Sequence, residues 1–308
     1  MSALHQSADD YLAIRRACGY ALRQEGRLLA SFLDHLEHRG ASSITVDAAL
    51  AWATEPSHAK PLWWARRLSV VRGFARYLST LDPDAEVPPQ DLLAHGSQRA
   101  TPYLYSPAQV TDLMSAARRL THPLRAATFE TLVGLMACTG LRTGEAMRLD
   151  RCDVDFGDGT FAVRHSKHGK SRLVPLHPTT TAALRVYARR RDELCSHPAA
   201  PAFLLSGVGT RLNHTNASST YAGLLADAGI ATPTGRRRPR LTDLRHSFAV
   251  ATLVTWYADG ADVPARLPAL SAYLGHVGPA STYWYLEASG QLMSAAADRL
   301  ELSWPEQS

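Results

Sequence analysis

Residues 123–145 read PLRAATFETLVGLMACTGLRTGE, and the rest of the chain is best read outward from them. The apolar pattern predicts a helix over roughly 123–139. Gly140 ends it, as the residue that most readily turns left-handed. Arg142 and Glu145 follow at once. Downstream come three short strand signals, Val154 to Phe156, Thr160 to Arg164 and Arg172 to Leu176. The turns Gly157-Asp158-Gly159 and Ser166 to Lys170 separate them, so the set predicts a small antiparallel meander. Gly157-x-Gly159-x-x-Ala162 has the spacing of a dinucleotide fingerprint, but it joins two strands and opens no helix, so it carries no such meaning. Upstream, Ser106-Pro107 forms a good helix start, with serine as N-cap and proline as the first helical residue.

Before that point the composition changes. Leu81 to Ser106 contains Pro83, Pro88, Pro89 and Pro102, together with Asp82, Asp84 and Gly96. This is a linker composition. The first 80 residues read as helices. Leu29, Phe32, Leu33 and Leu36 repeat at helical spacing, and Gly40 offers a stop. A short helix is expected over Val46 to Ala53 and another from Pro61. The latter has an apolar stripe of Trp64, Leu68, Val71, Ala75 and Leu78. Arg66, Ser69, Gly73 and Arg76 fall on its opposite face, where small residues beside arginines suit a phosphate backbone. An ordinary amphipathic helix with a solvated arginine face would read the same way. The expected division is a helical domain over 1–82, a linker over 83–102 and a second domain over 103–308, mainly α with a small antiparallel β-sheet.

The 308 residues contain 33 Lys and Arg against 28 Asp and Glu, a net charge of +5. Residues 1–100 balance at 11 and 11, so the 22 basic and 17 acidic residues of 101–308 hold the whole excess. Arg236, Arg237, Arg238 and Arg240 concentrate it locally. Such a run attracts polyanions such as DNA, or is simply a solvated loop. No apolar run approaches the roughly 20 residues needed to span a bilayer. Residues 1–10 lack the apolar core of a signal peptide, so a cytoplasmic, nucleoid-associated protein is expected. The four cysteines are far apart, with no CxxC pair and no HExxH, so neither a disulfide framework nor a metal site is expected.

Five segments carry chemistry. Thr139 to Glu145 includes Arg142 and Glu145. The run Lys167-His168-Gly169-Lys170-Ser171-Arg172-Leu173-Val174-Pro175-Leu176 offers Lys167, with Lys170 as its rival. Thr242-Asp243-Leu244-Arg245-His246 offers Arg245. Leu274-Gly275-His276 offers His276. Tyr285 follows His276 by nine positions, with Tyr283 as the alternative. In order and spacing these segments resemble the tyrosine recombinase, or phage integrase, family of site-specific DNA recombinases. The resemblance covers most of 103–300. Less specifically, it extends to the first 80 residues, which look like the family's SAM-like core-binding domain. Ser281 to Tyr285 looks most like integrases of transposable elements.

The resemblance implies a catalytic domain of the DNA breaking-rejoining fold. It also implies a reaction that needs no cofactor, metal or ATP. Tyr285 would attack the scissile phosphate and leave a 3′-phosphotyrosyl link with a free 5′-hydroxyl. Arg142 and Arg245 would clamp the non-bridging oxygens. Lys167 would protonate the departing 5′-oxygen, His276 would hydrogen-bond the phosphate, and Glu145 would hold neighbouring groups in place. The implied partners are double-stranded DNA carrying recombination sites and three further copies in a tetramer, or related recombinases in a mixed one. The amphipathic segment Gln291 to Leu300 would pack on a neighbouring subunit.

The chain departs from the pattern at Thr242, where the family usually has the histidine assigned as acid/base for the tyrosine proton. A hydroxyl is no base near pH 7, but it can bond a phosphate oxygen or cap the helix beginning there. His246 shares a helix face with Thr242. Either it packs as a helix histidine, or it, or water, partly replaces the missing base. The competing expectation is a catalytically impaired DNA-binding protein of the same fold.

Overall fold

The computed structural model describes residues 3–93, 101–164 and 171–276, and the chain divides into two compact units, Met1–Arg99 and Ala100–Ser308. Lys167, Lys170, Tyr283, Tyr285 and the Gln291 to Leu300 segment lie outside the described residues.

The first unit holds α1 (Ala3–Ala17), α2 (Arg23–His38), α3 (Val46–Thr54) and α4 (Pro61–Leu78). The stripe expected on α2 is buried in full: Leu29, Phe32, Leu33 and Leu36 meet Trp52 of α3 and Leu68, Val71 and Phe74 of α4. Gly40, at φ 65°, turns the chain away behind α2. The Thr45 hydroxyl caps α3 by accepting from Ala48 N at 3.2 Å. α1 was not singled out in the sequence, yet it contributes Leu4, Ala8 and Leu12 to this core. On α4, Trp64 is only half-buried and donates from its indole to Pro56 O at 2.9 Å. Arg67 and Arg72 are buried instead. Arg67 stacks on the Trp52 ring at 3.8 Å and donates to Trp52 O at 2.6 Å. Arg72 donates to the carbonyls of Pro88 and Pro89, each at 2.7 Å. The proline-rich stretch therefore starts as part of the first unit. Ala85 joins the core, with Val87 and Leu93 packed beside it.

The second unit begins with α5 (Pro107–Arg118), where Ser106 and Gln109 form a reciprocal capping box. α6 (Pro123–Thr139) is its central helix, buried on nearly all sides. After α7 (Thr143–Arg148) and a short 3-10 turn come β1 (Val154–Asp155), β2 (Thr160–Val163) and β3 (Arg172–Pro175). They form one antiparallel sheet in the order β1-β2-β3, with Phe161 opposite both Val154 and Val174. α8 (Pro178–Leu194), α9 (His214–Asp227), α10 (Leu241–Ala258) and α11 (Val263–Leu274) complete the described part. Phe129, Leu132, Met136, Phe161, Phe203 and Leu244 anchor its main core. The architecture is mainly helical with one small antiparallel sheet. No described helix is long and apolar enough to cross a membrane.

Candidate active site

Two helix ends build the site. α6 stops at Gly140 and α11 at Gly275, both in the left-handed conformation at φ 60° and 68°. A Cβ on Gly140 would lie 2.5 Å from Phe248, and one on Gly275 would lie 2.6 Å from Arg172. Only glycine fits either turn. The carbonyls at these ends lie at the negative pole of the helix dipole, which favours cations.

Two guanidiniums take up that invitation. Arg245, buried near the start of α10, donates from Nη1 to Gly140 O and from Nη2 to Leu274 O, both at 2.8 Å. Arg142, the N-cap residue of α7, donates from Nη2 to Gly275 O at 2.8 Å. His276 follows Gly275, and its Nε2 lies 2.9 Å from Arg245 Nη2. Arginine has no acceptor, so Nε2 accepts here and the neutral ring carries its proton on Nδ1. Burial, and then Arg245 and Arg142, lower the His276 pKa to about 4, so the ring is neutral at neutral pH.

Glu145 lies beneath, with its side chain 1% exposed. One carboxylate oxygen accepts from Arg142 Nη1 at 2.8 Å and the other from the Arg142 backbone N–H at 3.1 Å. Arg172, on β3, meets the same two oxygens with both terminal nitrogens, at 3.1 and 3.0 Å. Its Nε donates to Tyr273 O at 2.8 Å. The paired, charge-assisted bonds are what make a buried carboxylate tolerable. Motif spacing alone gives Arg172 no role. Its only signal there is an arginine inside the lysine-bearing run 167–176, since Glu145 stands 27 residues earlier on another element.

The structure thus brings together Arg142, Glu145, Arg172, Arg245 and His276. Thr242 is half-buried in the first turn of α10. It lines a cavity of about 230 Å³ with Thr143, His214, Ser218, Arg238 and Arg240. His246 is half-buried, and burial lowers its pKa to about 4, with Arg245 and Arg240 adding to the shift and Asp243 opposing it. Arg236, Arg237 and Arg238 are exposed on the loop before α10. Arg240 is exposed but tied to Asp243, whose carboxylate accepts from its backbone N–H at 2.8 Å and from its side chain at 3.3 Å. In the first unit Arg66 and Arg76 are both exposed, and Arg66 pairs with Glu25 at 2.9 Å. Gly73 between them is not an open approach for a backbone. A Cβ there would meet the Tyr11 hydroxyl at 2.9 Å, so the glycine makes room for α1.

Residues 104–291 match the model of the phage integrase family, a stretch that spans every motif from Arg142 to Tyr285. The chain belongs to the phage integrase family of tyrosine recombinases. It is by family a site-specific DNA recombinase. A Sinorhizobium fredii protein bearing an integrase/recombinase name, y4rB, is 43% identical to this recombinase over 312 residues, covering 99% of each chain. The Tn1549 transposon integrase, solved with transposon right-end DNA, matches with a TM-score of 0.65 at 16% identity, over 97% of this chain and 99% of that one. A lambda integrase tetramer bound to a Holliday junction matches with a TM-score of 0.61 at 17% identity, over 92% and 76%. At these identities the likeness is one of fold, and the mainly helical architecture with its small sheet is the fold of these integrases.

Proposed function

We propose that this recombinase cuts and rejoins DNA through a phosphotyrosyl intermediate formed by Tyr285. The phenol oxygen bonds to phosphorus, the bond from phosphorus to the 5′-oxygen breaks, and Lys167 gives that oxygen its proton. Rejoining runs the same steps backward, so the energy of the phosphodiester is kept. Negative charge grows on the two non-bridging oxygens, and Arg142 and Arg245 neutralise it. The observation that carries this reading is the meeting of Arg142, Arg245 and a neutral His276 at two glycine-capped helix ends. His276 orients Arg245 through Nε2.

A phenol of pKa about 10 must lose its proton on attack. Thr242 cannot take it, but its hydroxyl, in the first turn of α10, suits a phosphate oxygen. His246 at about pKa 4 is a poor base for a phenol, because proton transfer is most efficient when the acceptor pKa lies near the working pH. The phenol therefore loses its proton in equilibrium with solvent, and the neighbouring guanidiniums favour the phenolate, while His246 packs. The first unit serves as the core-binding domain, touching DNA through Arg66 and Arg76, while Arg236, Arg237 and Arg238 add contacts from the catalytic unit. Four copies act together on two duplexes, as the lambda integrase does on its junction. Similarity to a transposon integrase supports service to a mobile element in the cytoplasm.

End-labelled, nicked duplex tests the reading. Strand label ending in the 3′-phosphate should stay with the protein on a denaturing gel, and Tyr285→Phe should abolish it. Retention of the opposite label, or retention by Tyr285→Phe, would refute the assignment. A second reading, binding without turnover, rests on Thr242 alone. It predicts DNA binding with no covalent product.

A further inference from the structure

We infer that Arg172 is a positioning residue for the cleavage reaction, acting through Glu145 on Arg142. The inference rests on the phosphotyrosyl chemistry proposed above.

Glu145 accepts from Arg142 with both carboxylate oxygens, at 2.8 and 3.1 Å. This fixes the Arg142 side chain, but it sets a buried negative charge against the group meant to meet a phosphate. With Arg142 and Glu145 alone, the pair would sum to zero, and its pull on an incoming anion would fall off as that of a dipole. Arg172 changes the balance. It meets the same two oxygens at 3.1 and 3.0 Å, so two guanidiniums share one carboxylate and the group is left at +1. Glu145 can then hold Arg142 in place without neutralising it.

Arg172 also fixes the geometry from the other side. Its Nε bonds to Tyr273 O at 2.8 Å, and Gly275 packs against its guanidinium so closely that no Cβ fits. Arg142 Nη2 bonds to the carbonyl of that same Gly275. One side chain from β3 therefore registers the end of α11, which bears His276, against the start of α7, which bears Arg142. The Arg172 side chain is 15% exposed, while that of Arg142 is 30% exposed. The supporting group is the more buried of the two. Lysine could supply the charge but not the planar fork that meets two oxygens and a carbonyl at once.

The test is a double-mutant cycle on single-turnover cleavage of a nicked duplex, with DNA affinity and thermal unfolding measured on the same proteins. Arg172→Ala should slow cleavage on the order of 10²-fold, the usual effect of a small misplacement in a site, while DNA affinity falls by much less than the cleavage rate. Arg172→Lys should also slow cleavage and keep the wild-type unfolding temperature, so the result does not depend on the alanine variant folding well. Combining either change with Arg142→Lys should cost little beyond Arg142→Lys alone, because the two act as one unit. Losses that multiply in the double variants would overturn the inference, as would Arg172→Lys cleaving at the wild-type rate. Wild-type protein that binds but forms no covalent product would sink the phosphotyrosyl reading itself, and the two failures are thus distinguishable.

Discussion

His276 and His246 are both held neutral, and that has a measurable consequence. Burial is the main cause at each, with Arg245 adding to both. Their folded pKa of about 4 lies below the ordinary 6.5, so between those values the unfolded chain binds more protons than the native one. Stability then rises with pH through that window. The contribution is complete above pH 6.5 and is lost as the pH falls toward 4. Unfolding temperature measured from pH 7.5 to 4.5 should drop across this range, and less steeply in His246→Ala. The cleavage rate should show no limb near pH 6.5, because His276 does not titrate there. A limb at that pH would mean the ring works as a cation. His246→Ala should change the cleavage rate by less than about tenfold, below the 10²- to 10⁴-fold typical of a lost general base. A larger loss would restore it as the proton acceptor.

At the scale of elements, the two glycine stops do most to build the site. Gly275→Ala meets two penalties, about 1–2 kcal/mol for the left-handed conformation and the displacement of Arg172. Gly229, at φ 66° with nothing within 4 Å of a Cβ, meets only the first. Urea unfolding should rank Gly275→Ala as the more damaging, and cleavage should fall in Gly275→Ala alone. Equal effects would mean that Arg172 adapts freely. The helix stop at Gly140 was legible in residues 123–145, because an apolar run meeting glycine has few other outcomes. The three strands were legible from their turns, and the structure trims one residue from each. α1 was less so, since Leu4, Ala8 and Leu12 are spaced four apart among polar neighbours. The docking of residues 85–93 was not legible at all. It depends on Arg72 reaching Pro88 and Pro89, and on Glu86 accepting from Val46 N at 2.6 Å, 40 residues away. Arg172 is illegible in the sequence for the same reason. Motif spacing marks residues by their order along the chain, while a supporting group such as Arg172 is defined by partners distant in sequence.

At the scale of the whole molecule, the charge excess and the site belong to the same unit. Arg236, Arg237 and Arg238 are exposed, whereas Arg240 is held by Asp243 and Arg66 by Glu25. Replacing the first three with neutral residues should flatten the dependence of log affinity on log salt. The slope should fall by about 0.9 for each phosphate that an arginine no longer neutralises, equally for specific and random duplex. An unchanged slope would mean that the loop touches no phosphate.

The proposed clamp of Arg142 and Arg245 on the scissile phosphate is tested most directly by single-turnover cleavage of a nicked duplex by Arg142→Ala and Arg245→Ala. Each variant should cleave about 10²- to 10³-fold more slowly than wild type while binding the same duplex nearly as well. A rate loss no greater than the loss of binding would contradict the clamp and reduce both arginines to anchors of the fold.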